Sequence, residues 1–282
     1  MGILILAVLF AGFTRAADTP VREVQSECPV ISNGPVCEFR NGRFFSFEES
    51  SGPNLRAYRP DGRLAFTVSV QTRVSDVAVD SDGSLAVAVG SGIALLKADG
   101  TQTAFVDTKP LVPAHIAIGA DHSIWVLGSE PGSQPGNMIL RRYTRDGRLV
   151  GSYLNSGSEG SPTSLMAAGN KIAVVPGSQE VIELDESGTV LGRMRLDNSA
   201  LMQFALTSDG NLYGWDATLM PYGGLVLLDP VKGTSKKLET PGRHYSLIGA
   251  DGNNLVYREP DGGPGDGMKA AWFPQPGKPE RQ

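Results

Sequence analysis

Few residues in this chain have the type and spacing to do chemistry. Asp80-Ser81-Asp82-Gly83 carries the alternating oxygen donors of a calcium loop. An EF-hand loop starting at Asp80 would close on an acidic ligand at its twelfth position, which here is Ser91. A hairpin turn is therefore the better account of it. The run Asp-Gly-Gly-Pro-Gly-Asp-Gly-Met-Lys, from Asp261 to Lys269, has the glycines of a phosphate loop. That loop needs Gly-Lys-Ser/Thr between a strand and a helix. Met268 interrupts the motif and no helical pattern follows, so the run reads as surface loop. No Gly-x-Ser-x-Gly nucleophile elbow occurs. The three histidines, His115, His122 and His244, are too far apart for a zinc motif. No catalytic residue can be named from these patterns.

The elements that position these residues repeat. Asp-Gly and related turns recur between short apolar runs in two alternating series. The first is Asn41-Gly42, Asp82-Gly83, Asp121-His122, Gly169-Asn170, Asp209-Gly210 and Asp251-Gly252. The second is Asp61-Gly62, Asp99-Gly100, Asp146-Gly147, Ser187-Gly188 and Lys232-Gly233. Within each series the turns lie about 40 residues apart, a period that signals propeller blades or helical arrays. The flanking runs decide between them. Val-Ala-Val-Asp-Ser-Asp-Gly-Ser-Leu-Ala-Val-Ala-Val from Val77 is a β-hairpin, because Asp-Gly supplies the positive φ of a tight turn and Val and Leu favour strands. The second series is more polar, as in Leu-Arg-Arg-Tyr-Thr-Arg-Asp-Gly-Arg-Leu-Val from Leu140. Two hairpins per period make a four-stranded blade with an apolar inner and a half-solvated outer hairpin. No 3.6-residue period is present.

Six first-series turns against five second-series turns predict an all-β, six-bladed propeller of antiparallel blades whose last blade lacks its outermost strand. Residues 21–26 can supply that strand, closing the ring and hiding its edges. Cys28 and Cys37, the two cysteines, then flank the seam, and a disulfide between them would staple it.

Bulk properties narrow the function. The chain has 282 residues with Gly 35 and Pro 19, dispersed as many turns require. A net charge of −5 argues against nucleic acid and anionic lipid as partners. Residues 2–13 form an apolar run ending in Thr14-Arg15-Ala16-Ala17, which suits a signal peptide over 1–17. The run is shorter than the roughly 20 residues of a span, and no cysteine follows closely, so no membrane anchor is expected after cleavage. The mature domain is expected over 18–273, followed by a disordered tail over 274–282, as a secreted or periplasmic monomer. The absence of an Asn-x-Ser/Thr sequon is compatible with a bacterial source.

This blade pattern, a strand, an Asp-Gly turn, a strand and a shorter Asp-Gly hairpin, resembles six-bladed propellers of the NHL and gluconolactonase/regucalcin type over roughly residues 38–273. The Pro-x-Gly that often opens NHL repeats is missing from most units. Trp215-Asp216 occurs once, outside any WD frame, and three Trp are too few for the quinoprotein propellers. The lactonase-like members hold a central metal with acid and amide residues. That set does not map residue by residue onto this chain.

In such a ring the Asp-Gly turns share one face and the longer connections the other, here 48–54, 107–115, 128–138, 155–163, 215–224 and 259–267. Function belongs on the long-connection face and its axial entrance. Residues opening the innermost strands there are Arg73, Asp76, His115, Gln203, Arg243, His244 and Tyr245, with Trp215, Asp216 and Tyr222 on a neighbouring connection. His122 sits in a turn where sibling turns have Gly and reads as exposed and structural. The first expectation is a non-catalytic binding module for an unknown small molecule, peptide or protein. The alternative is a metal-dependent lactonase or esterase with a central Ca²⁺ or other divalent cation on Glu48, Asp76, Gln203 and Asp216. No cofactor is firmly implied.

Overall fold

Apolar alternation between Asp-Gly turns folds as its period demands. The structure, a computed structural model, describes residues 19–29, 37–47, 54–70, 72–133, 137–157, 164–177, 180–196, 201–219, 223–241, 246–259 and 267–276. The expected signal peptide, 1–17, lies outside them. No helix occurs among the described residues, so none is long and apolar enough to cross a membrane.

The first element among the described residues is β1 (Arg22–Pro29). Blade 1 is β2 (Cys37–Arg40), β3 (Arg43–Phe47), β4 (Leu55–Tyr58) and β5 (Leu64–Val68). Blade 2 is β6 (Val74–Val79), β7 (Leu85–Val89), β8 (Gly92–Leu96) and β9 (Gln102–Asp107). Blade 3 is β10 (Val112–Ile118), β11 (Ile124–Ser129), β12 (Asn137–Tyr143) and β13 (Leu149–Gly157). Blade 4 is β14 (Ser164–Ala168), β15 (Lys171–Gly177), β16 (Glu180–Asp185) and β17 (Val190–Arg195). Blade 5 is β18 (Leu201–Leu206), β19 (Leu212–Asp216), β20 (Gly224–Asp229) and β21 (Thr234–Leu238). Blade 6 is β22 (Ser246–Asp251), β23 (Asn254–Arg258) and β24 (Gly267–Pro274), with β1 paired antiparallel on β24 as the fourth strand.

Each sheet is a four-stranded antiparallel meander, and β2, β6, β10, β14, β18 and β22 contact one another in turn around the axis. The expected burial gradient is present. Every residue of β7 and β19 is buried, whereas five of the six residues of β9 are exposed. Trp125, Trp272 and Tyr257 are among the largest fully buried side chains.

The seam between blades 6 and 1 is held by a disulfide and a backbone hydrogen bond. Cys28 and Cys37 form a disulfide with a Cα–Cα distance of 5.9 Å. Closing a loop with a sequence separation of 9 stabilises the fold by about 2–3 kcal/mol on the chain-entropy model. Glu27 N donates to Gly62 O at 2.8 Å, tying β1 to the outer turn of blade 1. Gly62 has φ +84°, and a Cβ there would meet Ser26 Cα at 2.6 Å, so only glycine fits this close approach. The ordered chain runs past the boundary expected at Phe273. Gln275 is buried, accepts from Tyr213 Oη at 2.9 Å and from Asn211 Nδ2 at 2.7 Å, and donates to Asp209 Oδ1 at 3.1 Å. It clasps blade 6 to blade 5. Residues 277–282 of the expected tail lie outside the described residues.

The connections depart from expectation most clearly between blades 2 and 3. Residues 107–115 do not form a long loop: β9 runs to Asp107 and β10 starts at Val112. The turn between them is pinned by Thr108, whose hydroxyl donates to Ser91 O at 2.8 Å.

Candidate functional site

The innermost strands do more than line the axis. In four of them the register slips on entering the strand: between Val74 and Asp76, Pro113 and His115, Leu201 and Gln203, and Leu247 and Gly249. A bulge re-aims the residue that follows it. Asp76, His115 and Gln203 therefore occupy the same place in blades 2, 3 and 5. Each opens an equivalent apolar triplet, Val-Ala-Val, Ile-Ala-Ile or Phe-Ala-Leu. That shared frame was present in the sequence as a signal for them.

Asp76 is the centre of the group. Its side chain is 3% exposed, deep among the innermost strands. Oδ1 accepts from Arg40 Nη2 at 3.1 Å and from Val77 N at 2.8 Å. Oδ2 accepts from Ile116 N at 3.2 Å and faces His115 Nδ1 at 3.2 Å. A carboxylate only accepts, so this contact puts the proton on Nδ1 of His115. Arg40 closes blade 1 onto blade 2, and also pairs with Glu38 at 2.7 Å. Burial alone would raise the Asp76 carboxyl, but the Arg40 charge and then the His115 hydrogen bond overcome it, holding the group below the usual carboxylate range. For Arg40, burial pulls the other way, yet Asp76 and Glu38 leave its pKa raised.

Arg40 is the functional residue the sequence reading missed. It ends a four-residue strand beside Asn41-Gly42, and its role depends on reaching a neighbouring blade. Beyond this group the axis narrows to a cavity of about 90 Å³, lined by Arg40, Val79, Met166, Phe204 and Ile248 among others. That is room for a few waters, well below the roughly 300–1,000 Å³ of ligand sites.

The remaining expected site residues divide. Arg73 and Gln203 are exposed at the start of their innermost strands. Trp215 and Asp216 are not on a connection: both end β19, 6% and 5% exposed. Trp215 packs edge-on against Tyr257 at 6.3 Å, a core contact. Asp216 Oδ1 accepts from Thr218 N at 2.9 Å and Thr218 Oγ1 at 2.6 Å, shaping the turn after the strand. Glu48, Tyr222, Arg243, His244 and Tyr245 lie outside the described residues, as do residues 261–266 of the glycine-rich run. Lys269 stands within β24 and pairs with Glu259 at 2.5 Å. The Asp80–Gly83 segment is a hairpin turn, closed by Gly83 N donating to Asp80 O at 2.9 Å.

A central divalent cation does not fit the described residues. Each Asp76 oxygen already faces two donors, which accounts for its lone pairs. The permanent positive charge beside it is the guanidinium of Arg40. No group of three or more His, Cys, Asp or Glu suited to a metal ion occurs among the described residues.

No family model matches the chain, and no curated protein does. Solved structures do. The chain is similar to the crystal structure of a calcium-binding protein, regucalcin, from Agrobacterium tumefaciens, with a TM-score of 0.59. The identity is 14%, over 92% of this chain and 97% of that one. The fold is thus a six-bladed propeller of the regucalcin type, and at this identity the likeness is one of fold.

Proposed function

We propose that this protein is an exported, non-catalytic binding module whose ligand sits at the axial mouth on the long-connection face. The observation that supports it most is Asp76. A buried acid on the axis, saturated by Arg40, His115 and two backbone amides, is neither a general base nor an open metal ligand. It holds three consecutive blades in register beneath a mouth where Arg73 and Gln203 are exposed. Those side chains suit a small polar or anionic ligand, or a peptide carrying such a group. The disulfide supports export, because such bonds persist in oxidising compartments.

The likeness to a calcium-binding protein brings the metal-dependent lactonase or esterase to mind for this chain as well, but the donor set around Asp76 speaks against it. The experiment is a ligand screen by thermal shift on the domain from residue 18, using sugar acids, amino acids and short peptides. Hits are repeated on Arg73→Ala/Gln203→Ala. Stabilisation that disappears in the double variant, with its own Tm unchanged, supports the reading. Metal-dependent turnover of an ester or lactone overturns it.

A further inference from the structure

The opposite face, where the short turns lie, carries a cavity that the axial site does not use. Asp80 starts the inner turn of blade 2 and its side chain is 4% exposed. Its Oδ2 accepts from Arg145 Nη1 at 2.6 Å, and its two oxygens lie 2.8 and 3.0 Å from His122 Nδ1. Arg145 also donates to Asp82 Oδ2 at 3.2 Å and to Ser84 Oγ at 2.5 Å. Arg145 and His122 belong to turns of blade 3, so the group bridges two blades. Between those blades it frames a cavity of about 420 Å³, within the usual size of small-molecule sites.

The lining has two parts. Leu95, Leu96, Ile118 and Ile124 make an apolar floor, and Lys97, Arg145 and His122 stand at the rim. The acids there are matched internally. Asp80 has Arg145 and His122, while Asp82 has Arg145 together with the amide and hydroxyl of Ser84. What remains to face an anionic ligand is the ammonium of Lys97, exposed and without an ion pair or side-chain hydrogen bond among the described residues, with Asp99 near it in its own turn. The cavity therefore offers one uncommitted cation, Lys97, beside a self-paired acid–arginine group and over an apolar floor.

The backbone gives an independent reason to expect a role for His122. Its φ is +63°, in the left-handed region, whereas the matching turn residues of blades 2 and 5 are Gly83 and Gly210 at +81° and +83°. Glycine is the undemanding choice at such a position. The bond of His122 to Asp80 accounts for it, joining the two turns that frame the cavity.

We infer that this cavity binds a small organic carboxylate with an apolar body, the carboxylate resting on the ammonium of Lys97 and the body on the leucine and isoleucine floor. The site is independent of the axial reading and stands or falls separately. The test is a titration of the folded domain with 2-naphthoate, 4-phenylbutyrate and octanoate, each against its primary amide. At least one acid should bind saturably, about tenfold or more tighter than its amide, a difference of about 1.4 kcal/mol. Lys97→Met should weaken that binding about tenfold, while Lys236→Met, on the exposed outer strand of blade 5, leaves it unchanged. Lys97 is exposed, so its variant tests the charge without disturbing the core. Equal affinity for acid and amide, indifference to Lys97→Met, or no millimolar binding by any of the three acids overturns the assignment.

Discussion

Asp76 and Asp80 stand four residues apart on one strand and its turn, and each holds one arginine and one histidine. The resemblance ends with their partners. Arg40 and His115 are 33% and 22% exposed, and they close around Asp76 from blades 1 and 3. Arg145 and His122 are 46% and 50% exposed, and they lean over a cavity. The same charge arithmetic thus does two jobs. At the axis it locks innermost strands together and leaves no lone pair idle. On the short-turn face it fixes the orientation of side chains that still meet solvent.

Removing each acid should separate the two sharply. Asp76→Ala leaves a guanidinium without its main partner among the innermost strands, a loss of about 3–5 kcal/mol in urea unfolding. Asp80→Ala releases groups that water can reach, for a loss of about 1–2 kcal/mol. Equal losses would erase the distinction between lock and rim.

The seam supplies a reference from a different mechanism. Reducing Cys28–Cys37, or replacing both with serine, should cost about 2–3 kcal/mol. It should leave carboxylate binding between blades 2 and 3 intact, because that cavity lies away from the seam. Loss of binding on reduction would mean that the blades do not hold their geometry independently of closure.

Acid titration sharpens the axial half of the comparison. Asp76 has a depressed pKa in the folded state, so its contribution to stability is present above the unfolded carboxyl value of about 3.9 and disappears as pH falls through the folded value. Unfolding free energy followed from pH 6 downward should fall on that limb. Asp76→Asn should flatten the fall, although it starts from lower stability. An unchanged limb would show that Asp76 carries no linkage. His122→Gly should have the smallest effect. Relief of the left-handed histidine and loss of its bond to Asp80 oppose each other, leaving stability within about 1 kcal/mol of wild type.

Much of the ring was legible because its signals are local. Asp-Gly turns impose positive φ, and apolar alternation marks the strands between them, so blade number follows from counting hairpins. The cysteines pointed to the seam for a similar reason, being the only pair, one on each side of it. The site was less legible because its contacts are not local. Arg145 reaches Asp80 from 65 residues away, and Arg40 reaches Asp76 from 36. Each adjoins a repeat turn, but nothing in the turn points to the neighbouring blade. Trp215 was expected on the 215–224 connection. The pairing of β19 with β20 and the packing on Tyr257 draw it into the core instead. His122 was read correctly as a turn residue, but its link to a buried acid in the neighbouring blade could not be seen from its own turn.

The most direct test of the axial claim is a thermal melt of the domain from residue 18, before and after EDTA and with millimolar Ca²⁺, Mg²⁺, Mn²⁺ or Zn²⁺. A cation present at 100 times its dissociation constant would stabilise the native state by about 2.7 kcal/mol, a shift easily seen. With Arg40 holding Asp76, the expected result is a Tm that none of these treatments moves. A metal-dependent rise that EDTA reverses would contradict the account and place a cation where the guanidinium now stands.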